Sequence, residues 1–485
     1  MRQGTWWIVS ACAAVFCAGL ASAQDADASA ERSFRKIDGY RGIWFDLGQR
    51  SEYGSKYSGG LGTYTAKHHP LAIYVEEVEK TFFVYGGTYG PEETHLLAMV
   101  SYYDHRNHRV PKPTLVHAKP DVNDPHDNPS ITIDGEGHIW LFISGRSRRR
   151  PGLKYRSLKP YDIEAFERIS EEEFTYPQPW WIEGQGFLHL FTKYSRGREL
   201  YWNTSGPDGR TWGEDRKLAG MGGHYQMSNE RDGRVITAFN MHPGAEGTRG
   251  GHVDKRTNLY FVQTADRGET WTTVDGTVIE TPLTEVINPA LVRDYQSEGR
   301  LVYIKDIQFD RAGRPVLLYL TSSYHQPGPV GDPRIWTIAH WTAGEWLFHE
   351  VTRSTHNYDM GSLYIEEGEA VHGGMGRPWR IIAPTEAGPQ PHGTGGEMAM
   401  WVSYTHGVTW RKVRDLTRNS PRNHAYARRP VNAHPDFYAF WADGNPDELS
   451  PSHLYFTNQS GDKVWQLPYE MQDDYATPMP LNENE

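Results

Sequence analysis

One pattern occurs three times in the chain: Ser or Thr, three residues, Gly, one residue, Thr, Trp. It reads Ser205-Gly-Pro-Asp208-Gly209-Arg-Thr211-Trp212, then Thr264-Ala-Asp266-Arg-Gly268-Glu-Thr270-Trp271, then Ser403-Tyr-Thr-His406-Gly407-Val-Thr409-Trp410. Each copy follows a short strand-like run and precedes another. The glycine supplies a positive-φ position, the Ser/Thr and Asp side chains bond the turn backbone, and the Trp tucks into a sheet. The third copy has His406 near the acidic position and is degenerate. Asp134-Gly-Glu-Gly137, Asp232-Gly233 and Asp310-Arg-Ala-Gly313 form a second set of turns, each followed by a short apolar strand.

A recurring turn between short strands predicts an all-β fold of repeated four-stranded units. These are Asp-box turns of the BNR type, and a β-propeller is the architecture they predict. About 450 residues at roughly 40–65 per blade gives six to eight blades, with seven the expected number. Pro160 to Glu173 is the best candidate for a short helix in a chain otherwise lacking helical periodicity. No Pro/Ser-rich linker or composition break divides residues 39–485, so they read as a single propeller domain. Each blade packs only on its neighbours, which lets such a domain exceed the usual single-core size.

Residues 1–23 read as a signal peptide: Arg2, an apolar run from Trp6 to Leu20, then Ala21-Ser22-Ala23. Residues 24–38 are a short N-terminal segment. Export to the periplasm or cell exterior is expected, without a membrane span. Both cysteines, Cys12 and Cys17, lie in the leader. The mature chain then has no disulfide and relies on sheet pairing and a large core. The formal charge is -11, and losing Arg2 makes it -12. That balance argues against nucleic acid as a partner. An anionic sugar needs only a few local cations. Aromatic residues make up 13% of the chain, enough both to fill blade cores and to provide faces for sugar stacking. A monomer is expected.

Longer motifs sharpen the reading. They are Gly39-Tyr-Arg-Gly-Ile-Trp-Phe45, Lys56-Tyr-Ser-Gly-Gly-Leu-Gly-Thr-Tyr-Thr-Ala-Lys-His68, Val122-Asn-Asp-Pro-His-Asp-Asn-Pro129, Gly222-Gly-His-Tyr225, Gly393-Thr-Gly-Gly-Glu-Met398 and Tyr426-Ala-Arg-Arg-Pro430. Together they resemble the BNR-4 propeller enzymes. The resemblance is to the branch of α-L-rhamnosidases and rhamnose–glucuronate lyases and, more distantly, to ulvan lyases. It runs from about Gly39 to about Tyr469 and implies a uronate-containing polysaccharide as substrate.

The resemblance leaves three functional readings. The first is an exo-acting α-L-rhamnosidase that removes rhamnose α-1,4-linked to glucuronate in arabinogalactan. Its essential histidine falls at Ala66-Lys67-His68, on the face opposite the usual propeller site; His68 is the choice, with His69 an adjacent competitor. The second is a lyase that cleaves the same or a related uronate linkage by β-elimination. His105 and His126, 21 positions apart, match the spacing of paired lyase histidines, and Tyr176 matches the catalytic tyrosine. Lys193 stands where those lyases carry a charge-neutralising arginine, a role Arg146 or Arg198 can take instead. His224, Tyr225, Arg428 and Arg429 are further candidate substrate contacts. His105, His126 and Tyr176 are predicted to converge near one end of the central channel, with Lys193 or an arginine close by. The third reading is a sugar-binding propeller without catalysis.

The chemistry demands these residue types. A uronate C5 proton becomes acidic only when a cation neutralises the carboxylate. A His or Tyr must then take the proton while another group protonates the departing oxygen. No second catalytic carboxylate is evident at a readable spacing, a departure from two-carboxylate glycosidases. Asp124, Asp127 and Asn128 also read as loop caps or as hard oxygen ligands for calcium. No cofactor is required by any of the readings, and no metal ligand set is assigned.

Overall fold

The computed structural model describes residues 34–481, apart from 47, 61, 92, 94, 196, 245–251 and 367–376. The leader and its cleavage site lie outside these residues. Seven antiparallel sheets follow one another along the chain, each with its four principal strands in sequence order. They form a seven-bladed β-propeller. The innermost strands of blades 1 to 7 are Ala72–Val75, Pro129–Ile133, Thr175–Ile182, Gln226–Arg231, Leu301–Phe309, Ser362–Ile365 and Asn423–Arg428. They run in the same sense around the central channel. One end of the channel therefore collects all the segments that enter first strands.

The three Asp-box copies occupy the same place in three blades, the turn from third to fourth strand of blades 3, 4 and 6. Gly209, Gly268 and Gly407 have φ of +73°, +86° and +87°. The Oγ1 of Thr264 accepts from the Gly268 amide at 2.8 Å, and Ser403 Oγ does the same for Gly407 at 2.9 Å. Asp266 accepts from the Thr270 amide at 2.8 Å. In the degenerate copy that bond is made by Thr405 Oγ1 to the Thr409 amide, also at 2.8 Å, so Thr405 and not His406 replaces the acid. The second set of turns joins first to second strands in blades 2, 4 and 5.

Gly268 is held tightly enough to give a stability prediction. A Cβ there would lie 2.3 Å from Trp202 Nε1, whereas one on Gly276 (φ +89°) would meet nothing within 4 Å. Both alanine variants bear the cost of left-handed backbone, about 1–2 kcal/mol. Only Gly268→Ala must also displace a buried Trp. Chemical denaturation should show Gly268→Ala losing about 1–3 kcal/mol more than Gly276→Ala. Equal losses would mean that the glycine–tryptophan contact does not constrain the turn.

The expected helix at 160–173 is absent. Phe166–Glu172 is the outermost strand of blade 2, paired antiparallel with Gly152–Ser157. An outer strand has few buried faces, so its polar Ser-Glu-Glu content mimics a helical surface, and pairing overrides that propensity.

The C-terminal segment crosses the seam between the last and first blades, its strand Tyr475–Ala476 pairing antiparallel with Val110–Pro111 beside blade 1. Blades 7 and 1 meet through Val431, whose amide donates to Ala72 O and whose carbonyl accepts from the Tyr74 amide, both at 2.9 Å. Phe83 of blade 1 packs on Phe440 of blade 7 with centroids 5.1 Å apart. The N-terminal stretch spans this seam: Ile37 N bonds Pro113 O in blade 1, and Tyr40 N bonds Pro468 O in blade 7.

Candidate active site

A cleft opens at the channel end where the first strands begin. The segment before blade 1 forms one wall through Tyr57, Tyr64, Thr65, Ala66 and Lys67. The register of the inner strands breaks at the same depth in three alternate blades: between Thr175 and Gln178, Ile304 and Asp306, and Ala425 and Arg428. Such bulges re-aim side chains. Here they deliver Tyr176, Lys305 and Tyr426 into the cleft. Tyr176 and Tyr426 have φ of 56° and 57°, an unusual conformation for an aromatic residue that the surrounding sheet imposes.

His126 sits on a single 3-10 turn, Pro125–Asp127, entering blade 2. Asp124 is its N-cap. One carboxylate oxygen, Oδ1, accepts from the His126 amide at 3.1 Å and lies 2.5 Å from His126 Nδ1. The same residue thus starts the turn and orients the ring. Asp124 Oδ2 takes Arg146 at 2.7 Å and Arg150 at 2.8 Å. Burial works to raise the Asp124 carboxyl, but His126 and Arg146 outweigh it and hold it far below the usual carboxylate range. It stays ionised and keeps the proton of a neutral His126 on Nδ1. Nε2 then carries the lone pair, facing Tyr64 Oη at 3.3 Å. Burial lowers the His126 pKa below 6.5, with Asp124 opposing and the arginines assisting.

Tyr176 stands beside His126, ring centroids 5.9 Å apart, and beside Tyr225 at 5.3 Å. Burial raises the Tyr176 phenol well above its ordinary value. At Tyr225 burial pulls upward too, but Arg198 and Arg256 overcome it and the net shift is down. Arg256 lies over the Tyr225 ring at 4.5 Å and donates to Tyr358 Oη at 2.7 Å. Neither Arg198 nor Arg256 has a carboxylate partner among the described residues. Among the described residues the lining includes no Asp or Glu. Lys67 and Lys305 also line the cleft, but burial drives Lys67 well below its usual pKa and Lys305 to about 7. The dependable positive charge therefore rests on Arg146, Arg198 and Arg256.

Of the residues singled out from the sequence, His126, Tyr176, Arg146, Arg198 and Tyr225 line this one cleft. The others do not. His105 follows the third strand of blade 1, Leu96–Asp104, which starts at the cleft end and carries the chain some 30 Å to the opposite face. His105 and His126 thus do not form a pair. His68 is fully buried behind the wall, its ring 5.8 Å from that of Tyr176, and so lies at the same end as His126 rather than on the opposite face. His69 is likewise buried, against Trp180 at 5.4 Å. Lys193 pairs with Asp215 at 2.7 Å outside the cleft. His224 is locked between the Met221 amide and Asn240 O. Arg428 is spent on the carbonyls of Thr65 and His68, and Arg429 faces Asp306 at 3.6 Å. Asp124 and Asp127, the candidate oxygen ligands for calcium, turn their oxygens to Lys119, Arg146 and Arg150.

Sequence reasoning missed Arg256, Tyr303, Lys305 and Tyr358, which enter blades 4 to 6 with no motif around them. Tyr57, Tyr64 and Tyr426 stood inside quoted motifs without an assigned role. A usable signal was position: Tyr303, Lys305 and Tyr426 lie in inner strands, Tyr358 shortly before one, and Arg256 just before Thr257–Thr264, the third strand of blade 4.

The comparisons with known proteins agree with this architecture. An ulvan lyase from Pseudoalteromonas sp. (strain PLSV) is 21% identical over 254 residues, spanning 46% of this chain and 52% of that protein. An ulvan lyase from Alteromonas sp. (strain LOR) is 21% identical over 359 residues, 67% of this chain and 70% of that one. The chain thus matches only about half the length of the first of these relatives. A solved structure of a family PL25 ulvan lyase superposes with a TM-score of 0.68 at 16% identity, covering 88% of this chain and 96% of its own. A second structure of such an enzyme, bound to -[GlcA(1-4)Rha3S]-, gives 0.67 at 15% identity. At such identities the likeness establishes the fold. The sequence profile of the BNR repeat-containing family matches residues 83–354, more than half of the chain, and the chain belongs to that family.

Proposed function

We propose that the protein is a polysaccharide lyase that cleaves a 4-linked uronate by β-elimination. The observation that carries this reading is a neutral histidine and a protonated tyrosine beside arginines that have no carboxylate partner among the described residues, in a cleft whose described lining includes no Asp or Glu. Two-carboxylate hydrolysis has no groups to work with there. Arg198 and Arg256 bind the uronate carboxylate and spread the charge that develops as C5 loses its proton. His126 Nε2 takes that proton, displacing the long contact from Tyr64. The C5–H electrons become the C4–C5 double bond, the C4–O4 bond breaks, and Tyr176 delivers a proton to O4. Its raised pKa keeps that proton in place until then. The relatives being ulvan lyases makes a glucuronate–rhamnose polymer the first substrate to offer. A polymeric substrate of this kind also suits the export expected from the leader.

The test is ultraviolet absorbance during incubation with ulvan and, separately, rhamnose-capped arabinogalactan. Elimination leaves a 4,5-unsaturated uronate that absorbs; hydrolysis does not. Rising absorbance with at least one polymer is expected. Release of reducing sugar without absorbance would restore the rhamnosidase, and no product from folded protein would favour a binding propeller. The pH profile follows from His126. Its neutral form is the active base and its pKa is depressed, so activity should persist below pH 6.5 and fall only in more acid solution. An acid limb above that value would contradict the assignment.

A further inference from the structure

On the face opposite the cleft, His105, His434 and Asp436 gather at the seam between the first and last blades. One ligand atom from each lies within 4.8 Å of the others. His105 ends the third strand of blade 1, and the other two follow the inner strand of blade 7. The two imidazoles lie with centroids 3.9 Å apart and planes tilted by 49°, and Tyr74 and Tyr103 close around them.

The hydrogen bonding of His105 is that of a metal ligand. Nε2 is paired with Thr81 Oγ1 at 2.8 Å, while Nδ1 is buried without a partner. A ligating histidine commonly gives its far N–H to such an oxygen, which fixes the tautomer and leaves the near nitrogen its lone pair. A buried nitrogen left unpaired is costly, so its retention calls for a ligand. His434 Nδ1 accepts from the Asp436 amide at 3.1 Å and is therefore also unprotonated. Asp436 Oδ2 stands 3.9 Å from it. His434 and Asp436 are only half-buried, so solvent reaches the group from one side.

We propose that these three residues bind a divalent zinc ion that clasps blade 1 to blade 7. Two imidazole nitrogens and one carboxylate are a borderline donor set suited to zinc, with water in the fourth position. Contraction to bond lengths of about 2.0–2.2 Å takes only side-chain rotations, in which the His434 lone pair passes from the amide to the metal. The location gives the ion its role. The ring closes here through the Val431 pairing, the C-terminal strand Tyr475–Ala476 on Val110–Pro111 and side-chain packing, and a metal bond across the seam adds to their resistance to opening.

The experiment uses the full protein, stripped with chelator and titrated with zinc chloride alone. One equivalent is expected to bind, raising the melting temperature by about 3–5 °C at a hundredfold excess over Kd. His105→Ala and Asp436→Asn should abolish both effects while leaving lyase activity intact. Should those variants fail to fold, cobalt substitution of the wild-type protein serves instead: visible d–d absorption of tetrahedral intensity is expected. Absence of zinc binding, a thermal shift that survives His105→Ala, or a purely octahedral cobalt spectrum would each overturn the proposal. Because zinc affinity is read without substrate, its failure is separate from failure of the lyase assignment.

Discussion

Alanine at position 126 should lower kcat/KM for elimination by about 10²–10⁴-fold and leave the melting temperature nearly unchanged. The two halves have separate physical grounds. His126 Nε2 is the lone-pair nitrogen held in the cleft by Asp124, so its loss removes the group that takes the C5 proton. Stability is spared because Asp124 keeps Arg146 and Arg150 as partners and does not become an unpaired buried charge. Steady-state kinetics with matched thermal denaturation check both. His105→Ala is the control, since that residue lies on the other face. Full activity in His126→Ala, or loss in His105→Ala at unchanged fold, would move the base elsewhere.

Arg198→Ala should cost about 10²–10³-fold in kcat, the usual size for removing one donor at a site of developing charge. The guanidinium has no carboxylate to pair with in the protein and contacts the rings of the cleft, with Tyr194 5.3 Å from its centre. Its removal therefore breaks no ion pair and should leave the fold intact. Arg198→Lys should recover only part of the loss, because an ammonium lacks the planar fork that grips a carboxylate. Tyr225 supplies a second readout. Arg198 is the leading group lowering its phenol, so the ionisation of Tyr225, followed by ultraviolet difference absorbance, should move to higher pH in Arg198→Ala. Lys193→Ala, which disrupts only the pair with Asp215, should be silent. A loss at Arg198 confined to KM would assign it to ground-state binding instead.

The architecture was legible because its signal is local. An Asp-box turn is specified within eight residues, and the three copies do fall at one position of three blades. The segment at 160–173 misled because an outer strand borrows its polarity from solvent, and only its pairing partner reveals it. The histidines misled for a topological reason. The 20 residues between His105 and His126 contain one blade strand, Thr114–Lys119, besides the two-residue Val110–Pro111, and that strand carries the chain from one face to the other. Conversely, His68 and His126 are separated by the whole of blade 1 and still end in one neighbourhood. The same topology hid Arg256 and Tyr358, which acquire meaning only when the inner strands of blades 4 to 6 are drawn around one axis. Asp124 was read as a turn former or calcium ligand. The turn reading was right, and the carboxylate that caps the turn also orients the ring.

The central claim is that the bond breaks by elimination in the His126 cleft. Digestion in heavy-oxygen water followed by mass spectrometry of the products tests it most directly. The account predicts products that carry no label from solvent and an unsaturated uronate end lighter by one water than its hydrolytic counterpart, with neither formed by His126→Ala. Label at the newly formed reducing end and a saturated uronate would contradict it.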